Sequence, residues 1–125
     1  MLFGVGSPAA LRRAARFANG INPILIDWKR VEWLLNTYWM LVREAGHDPQ
    51  QMVIVVRSNG VMSLSAPLPQ PRPPLSGSLE QLRQDIPRLA ELEVGHVFFD
   101  PAASSFTERE LLEWLPRLFR VTTGE

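Results

Sequence analysis

Short apolar runs alternate with longer amphipathic stretches along this chain, four times over. The first apolar run, residues 2–5, passes through a glycine turn to Ser7 and Pro8. Ser7 is suited to an N-cap, and Pro8 to the first helical position, where its missing N–H costs nothing. This predicts a strand and then a helix over 8–18, stopped at Asn19-Gly20 with Gly20 as a left-handed cap. A second apolar run at 21–26 is interrupted by Pro23, which predicts a short or irregular strand. Val31, Leu34, Leu35, Tyr38, Leu41, Val42 and Ala45 recur at helical spacing and predict a long helix over 28–45, ended by Gly46. Residues 52–56 form the clearest strand, and their consecutive apolar positions predict cover on both faces.

The stretch 58–77 is rich in proline and serine and reads as a long loop, after which Ser78 or Ser76 caps a helix to about residue 92. Residues 94–99 read as a fourth strand. Thr107 with Glu110 has capping-box spacing and opens a last helix through Phe119. Pro87 and Pro116 fall inside helical patterns and predict a kink or an early end. Strands alternating with helices imply parallel strands joined by right-handed crossovers, as a small open sheet or as half of an eight-stranded barrel. No linker divides the 125 residues, so one domain over 1–125 is expected.

Composition narrows the classes. An apolar content of 46% with 21% charged residues is that of a globular chain rather than a disordered one. Thirteen basic and thirteen acidic residues cancel, which disfavours nucleic acid and anionic membranes as general partners. The absence of cysteine excludes disulfides, thiolate catalysis and cysteine metal sites. No apolar run approaches the roughly twenty residues of a membrane span, and the N-terminus does not read as a signal peptide, so a cytoplasmic protein is expected. A strand starting at residue 1 with nothing upstream to pair with it predicts a piece of something larger, a fragment or a partner in an assembly.

Candidate chemistry is concentrated at the first turn. Gly4, Gly6 and Ser7 would point free backbone N–H groups and the positive end of a helix dipole at one spot, which suits a phosphate. Arg12, Arg13 and Arg16 read as a solvated helix face or as steering charges for an anion. Arg57 and Asp100 end their strands on the same side; each is a ligand contact or, for Asp100, a cap for the following loop. His47 reads as a solvated turn residue and His96 as structural. Two histidines so far apart predict no metal site. No Ser–His–Asp set or carboxylate pair can be assembled, so catalytic residues are not identified. Trp28, Trp33 and Trp39 crowd one helix, with Trp33 and Met40 outside its main face; they widen the core face or meet another surface.

The block from Gly4-Val5-Gly6-Ser7-Pro8-Ala9-Ala10-Leu11-Arg12-Arg13-Ala14-Ala15-Arg16 to Asn19-Gly20-Ile21-Asn22-Pro23 resembles the C-terminal half of the luciferase-like monooxygenases, in particular their deazaflavin-dependent oxidoreductase branch. Glu44-Ala45-Gly46-His47-Asp48-Pro49 before a strand ending in Arg57, Pro73-Pro74-Leu75-Ser76-Gly77-Ser78-Leu79-Glu80-Gln81, and Val97-Phe98-Phe99-Asp100 fit the same pattern in order. Asn19 and Ile21 depart from the family's Asp and Trp. The resemblance implies an α/β fold, the C-terminal half of a (β/α)8 TIM barrel with strands five to eight. It also implies that Gly4, Gly6 and Ser7 lie where the family binds the phosphate of a deazaflavin or of FMN. The chemistry implied is hydride transfer or monooxygenation, done by the cofactor ring. The half of the family that carries much of the ring and substrate site is not in this sequence.

Half a barrel has a physical consequence. Ile54 and Val56 point one way and Val53 and Val55 the other; Val97 and Phe99 likewise oppose Phe98. Four helices cover one face, and leaving about six large apolar side chains wet on the other forfeits roughly 1.5–3 kcal/mol each. The expected remedies are a homodimer, a separate N-terminal half-barrel chain, or helices collapsed across the open face. The functions in play are therefore part of a flavin- or deazaflavin-dependent oxidoreductase, inactive alone; a non-catalytic assembly module; or a simple phosphate-ligand binder.

Overall fold

The computed structural model describes residues 2–4 and 6–124. Four strands, β1 (Leu2–Phe3), β2 (Gly20–Ile21), β3 (Val53–Ser58) and β6 (His96–Phe99), form one sheet in the order β1-β2-β3-β6, with every neighbouring pair parallel. Helices α1 (Pro8–Phe17), α2 (Trp28–Glu44) and α3 (Leu79–Glu91) connect them, and α4 (Glu108–Thr123) follows β6. Two further strands, β4 (Met62–Ser63) and β5 (Gly77–Ser78), pair in parallel apart from that sheet. Val5, to which the apolar pattern extends the first strand, lies outside the described residues.

Strands laid down in sequence order with right-handed crossovers place every helix on the same side. Burial along β3 shows the result: Ile54 and Val56 are 1% and 0% exposed, whereas Val53 is 38% exposed. The core lies between the sheet and the helices, where Leu11, Ile21, Leu35, Tyr38 and Leu82 join Ile54 and Val56. Among the described residues no helix lies over the opposite face. Ile24 and Phe98, 51% and 57% exposed, stand on it on either side of Arg57. The expectation that both faces of residues 52–56 are covered is therefore corrected: an apolar run needs cover on two sides, and the helices of this chain supply one.

Local chemistry accounts for most element ends. Ser7, Asp27, Ser78 and Thr107 cap the four helices by accepting backbone N–H bonds, and Ser78 and Thr107 do so within capping boxes closed by Gln81 and Glu110. Gly46, at φ +79°, follows the end of α2 as expected. Gly20 does not act as a left-handed cap. Ala18 ends α1 in extended conformation, and Gly20 is buried in β2 between Leu2 and Val53. Pro87 and Pro116 do not shorten their helices, which run on to Glu91 and Thr123. Both prolines are exposed, so water can reach the carbonyls whose partners they remove. Residue 94 precedes the fourth strand rather than opening it.

The stretch 58–77 is not simply a loop. Besides β4 and the start of β5 it is bound to α3 by a buried ion pair. The Arg72 guanidinium donates to both carboxylate oxygens of Asp85, at 2.6 and 3.0 Å, with each side chain 6% exposed. Asp85 also accepts the Leu75 N–H, while Arg72 donates to the carbonyls of Ser76 and Gln81. The Gln81 side chain takes the Leu68 N–H at 2.9 Å and returns a bond to the Leu68 carbonyl at 2.9 Å. Gly77 sits at φ +98° so close to that amide that a Cβ there would clash with it. The segment after β3 is thereby fixed against the body of the fold.

Removing one partner of a buried ion pair strands the other charge, so Asp85→Ala is expected to lower unfolding stability by about 3–5 kcal/mol in urea denaturation. The double replacement Arg72→Met with Asp85→Leu, which removes both charges, is expected to recover most of that loss.

Candidate functional site

The C-terminal ends of the strands gather the polar turns of the molecule at one edge. At the end of β1, Ser7 adopts extended backbone angles and its Oγ accepts the Ala10 N–H at 3.2 Å, opening α1. Pro8 has no N–H, Ala10 is capped and Leu11 is bound to the Ser7 carbonyl, so the Ala9 N–H has no intrahelical acceptor. A Cβ placed on Gly4 or Gly6 would meet nothing within 4 Å, so this backbone is open to approach. Beside it, Arg30 on the first turn of α2 donates to the Gly6 carbonyl at 3.2 Å. A recess of about 60 Å³ lies alongside, lined by Gly6, Ile24, Ile26, Arg30 and Leu34 among others. Gly4, Gly6 and Ser7 are thus exposed, with a helix N-terminus at Ser7 and a cation beside Gly6. Arg30 carried no signal in the sequence, because only the packing of α2 beside α1 brings it there.

Two candidates read separately in the sequence meet in space. Arg57, at the end of β3, donates from Nη2 to Asp100 Oδ2 at 3.0 Å and from Nε to Asn59 Oδ1 at 2.9 Å. Its guanidinium also lies 6.0 Å from the centre of the Phe98 ring. Asp100 Oδ1 accepts the Ala102 N–H at 3.0 Å, so Asp100 both caps the following turn, Ala102–Ser104, and pairs with Arg57. The Ala102 N–H, and after it the Arg57 guanidinium, hold the Asp100 carboxyl below its ordinary value.

The remaining candidates are elsewhere. Arg12 and Arg16 line a surface groove between α1 and α2 with Leu41, Glu44 and His47. Arg13 is exposed on α1. His47 is exposed, but it is not simply a solvated turn residue: its Nε2 lies 3.0 Å from the Arg16 carbonyl and ties the end of α2 to the end of α1. His96 is exposed on the open face opposite Val55. The tryptophans divide. Trp39 is buried and donates to the Leu92 carbonyl, Trp28 packs under the Arg88 guanidinium, and Trp33 and Met40 remain 44% and 49% exposed.

A depressed carboxyl makes a stability contribution that is present above the ordinary aspartate range and lost as the pH falls through the depressed value. Arg57→Ala is expected to move the Asp100 titration upward, though not all the way to the unperturbed value, because the Ala102 N–H bond persists. Side-chain carboxyl NMR titration measures it; an unmoved or lowered value would contradict the pairing.

No protein-family model matches the chain, and no curated protein matches it in sequence. Among solved structures it is similar to the coenzyme F420-dependent tetrahydromethanopterin reductase from Methanopyrus kandleri, with a TM-score of 0.64 and 12% identity, over 80% of this chain and 44% of that one. This chain therefore matches less than half the length of that protein. The fold is α/β, with parallel strands and four helices, consistent with part of a TIM-barrel-like architecture.

Proposed function

We propose that this chain is the C-terminal half of a luciferase-like, deazaflavin- or flavin-dependent oxidoreductase barrel and that it binds the cofactor's phosphate through Gly4, Gly6 and Ser7. The observation that carries this is the start of α1: an open glycine turn, a capped helix N-terminus and the Arg30 cation at the C-terminal edge of a sequentially ordered parallel sheet. Ligands of barrel folds bind at that edge, and helix N-termini favour phosphate. The similarity to an F420-dependent reductase supports a deazaflavin over other cofactors of this size. The cofactor ring supplies hydride-transfer chemistry when bound. The residues of this chain contribute binding and orientation: Ser7 and the Ala9 N–H toward the phosphate, Arg30 as a nearby positive charge.

The open face supports a partner, either a separate N-terminal half-barrel chain or a second copy. Val53, at the far end of β3 from the C-terminal edge, marks the part of that face it would cover, and the chain alone is proposed to be catalytically inactive. Exposed Val53, with Trp33 and Met40, favours the second reading, a non-catalytic assembly module.

Titration of the purified chain with F420, FMN and inorganic phosphate separates these readings. Binding of F420 or FMN well above phosphate is expected. Ser7→Asp keeps a good N-cap while placing a negative charge at the turn, so it is expected to weaken cofactor binding about tenfold or more with little change in melting temperature. Absence of cofactor binding, or indifference to Ser7→Asp, would remove the oxidoreductase reading. Sedimentation is expected to show association at micromolar concentration that Val53→Lys suppresses; a strict monomer at all concentrations would remove the partner.

A further inference from the structure

A row of three side chains crosses the open face near its C-terminal edge: Ile24, Arg57 and Phe98. Ile24 bridges in parallel to Arg57, and Arg57 is in register with Phe98. Neighbouring strands lie about 4.8 Å apart, so the row spans roughly 10 Å. Its outer members are more than half exposed, and its centre is a cation. That cation is held in place. Asn59 and Asp100 accept from it, the Phe98 ring lies beside it, and Asp100 is itself pinned by the Ala102 N–H.

A guanidinium carries five N–H donors. Among the described residues Arg57 gives one to Asn59 and one to Asp100, so three remain for a ligand. A free arginine loses rotamer freedom when it binds; one already fixed by its neighbours loses less. Beside these donors lie two apolar side chains that are more than half exposed. We propose that Ile24, Arg57 and Phe98 form a subsite for a planar aromatic acid, its carboxylate or sulfonate on the Arg57 fork and its ring across Phe98 and Ile24.

The subsite lies at the strand ends, where a closed barrel is open, so a partner over the rest of the face leaves it reachable. It deepens the oxidoreductase reading by naming the chemical class of a second ligand, and it rests on that reading only in taking this face as the ligand side. Ile24 also lines the recess beside Gly6 and Arg30, so the two features adjoin, but Arg57 belongs to the subsite alone and Ser7 to the phosphate turn alone, and substitutions at these two test them separately.

The test compares two dyes of like ring system, 8-anilinonaphthalene-1-sulfonate and the uncharged N-phenyl-1-naphthylamine, by fluorescence titration of the whole chain. The wild type is expected to bind the sulfonate more tightly than the neutral dye. Arg57→Met keeps much of the apolar stem and removes the fork; it is expected to weaken the sulfonate about tenfold and to leave the neutral dye within about twofold. Arg57→Lys, which retains charge without the fork, is expected to fall between the two and provides a readout if the methionine variant does not fold. Equal affinity of the wild type for both dyes, equal loss of both in Arg57→Met, or no loss at all would overturn the subsite. Absence of cofactor binding by the wild type, or indifference of that binding to Ser7→Asp, with dye discrimination intact would instead overturn the oxidoreductase reading and leave the subsite standing.

Discussion

The handedness of the strand–helix–strand crossover is the constraint from which this molecule follows. Four parallel strands in sequence order, joined by three crossovers of the same hand, put the crossover helices on one side. Ile54 and Val56 are thereby buried, while Val53, Ile24 and Phe98 are left facing outward. A doubly wound sheet, in which the strand order reverses, would have covered both faces with the same number of helices. The exposed apolar face is a consequence of topology rather than a defect of packing, and covering it is worth roughly 25 cal/mol per Å² of apolar surface.

The same topology gathers the turns. Each strand ends at one edge of the sheet, so Ser7, Arg30, Arg57 and Asp100, far apart in sequence, share it. Two different kinds of N–H donor then stand on that edge: backbone N–H groups at the start of α1, and a guanidinium braced by Asn59 and Asp100 at the end of β3. The segment following β3 could have been a mobile flap over this edge. The buried Arg72–Asp85 pair and the Gln81 clamp on Leu68 make it a fixed wall instead.

What could be read from residues alone followed distance along the chain. The four strand–helix units, the Ser7 cap and the capping box of Thr107 with Glu110 were legible because capping and periodicity are local, acting within three or four positions. Gly20 misled for an instructive reason: a glycine after a helix fits a left-handed cap, but here it lies buried in β2, paired with Leu2 on one side and Val53 on the other. The strand pair β4 and β5 was hidden because each is two residues long, too short to show alternation. Asp85 read as one more charged helix residue; its partner Arg72 lies thirteen positions earlier in a proline-rich stretch that gave no sign of folding back.

Order and kind of element, the helix N-terminus that suits a phosphate, and the presence of apolar side chains on both faces of the strands were thus determined by the amino-acid sequence itself. Which of those faces is covered, which cation stands beside Gly6, and the meeting of Arg57 with Asp100 and Phe98 were decided only by the tertiary structure. The physical reason is that propensity and capping are settled by near neighbours, whereas burial and ion pairing depend on which distant segments the sheet brings side by side.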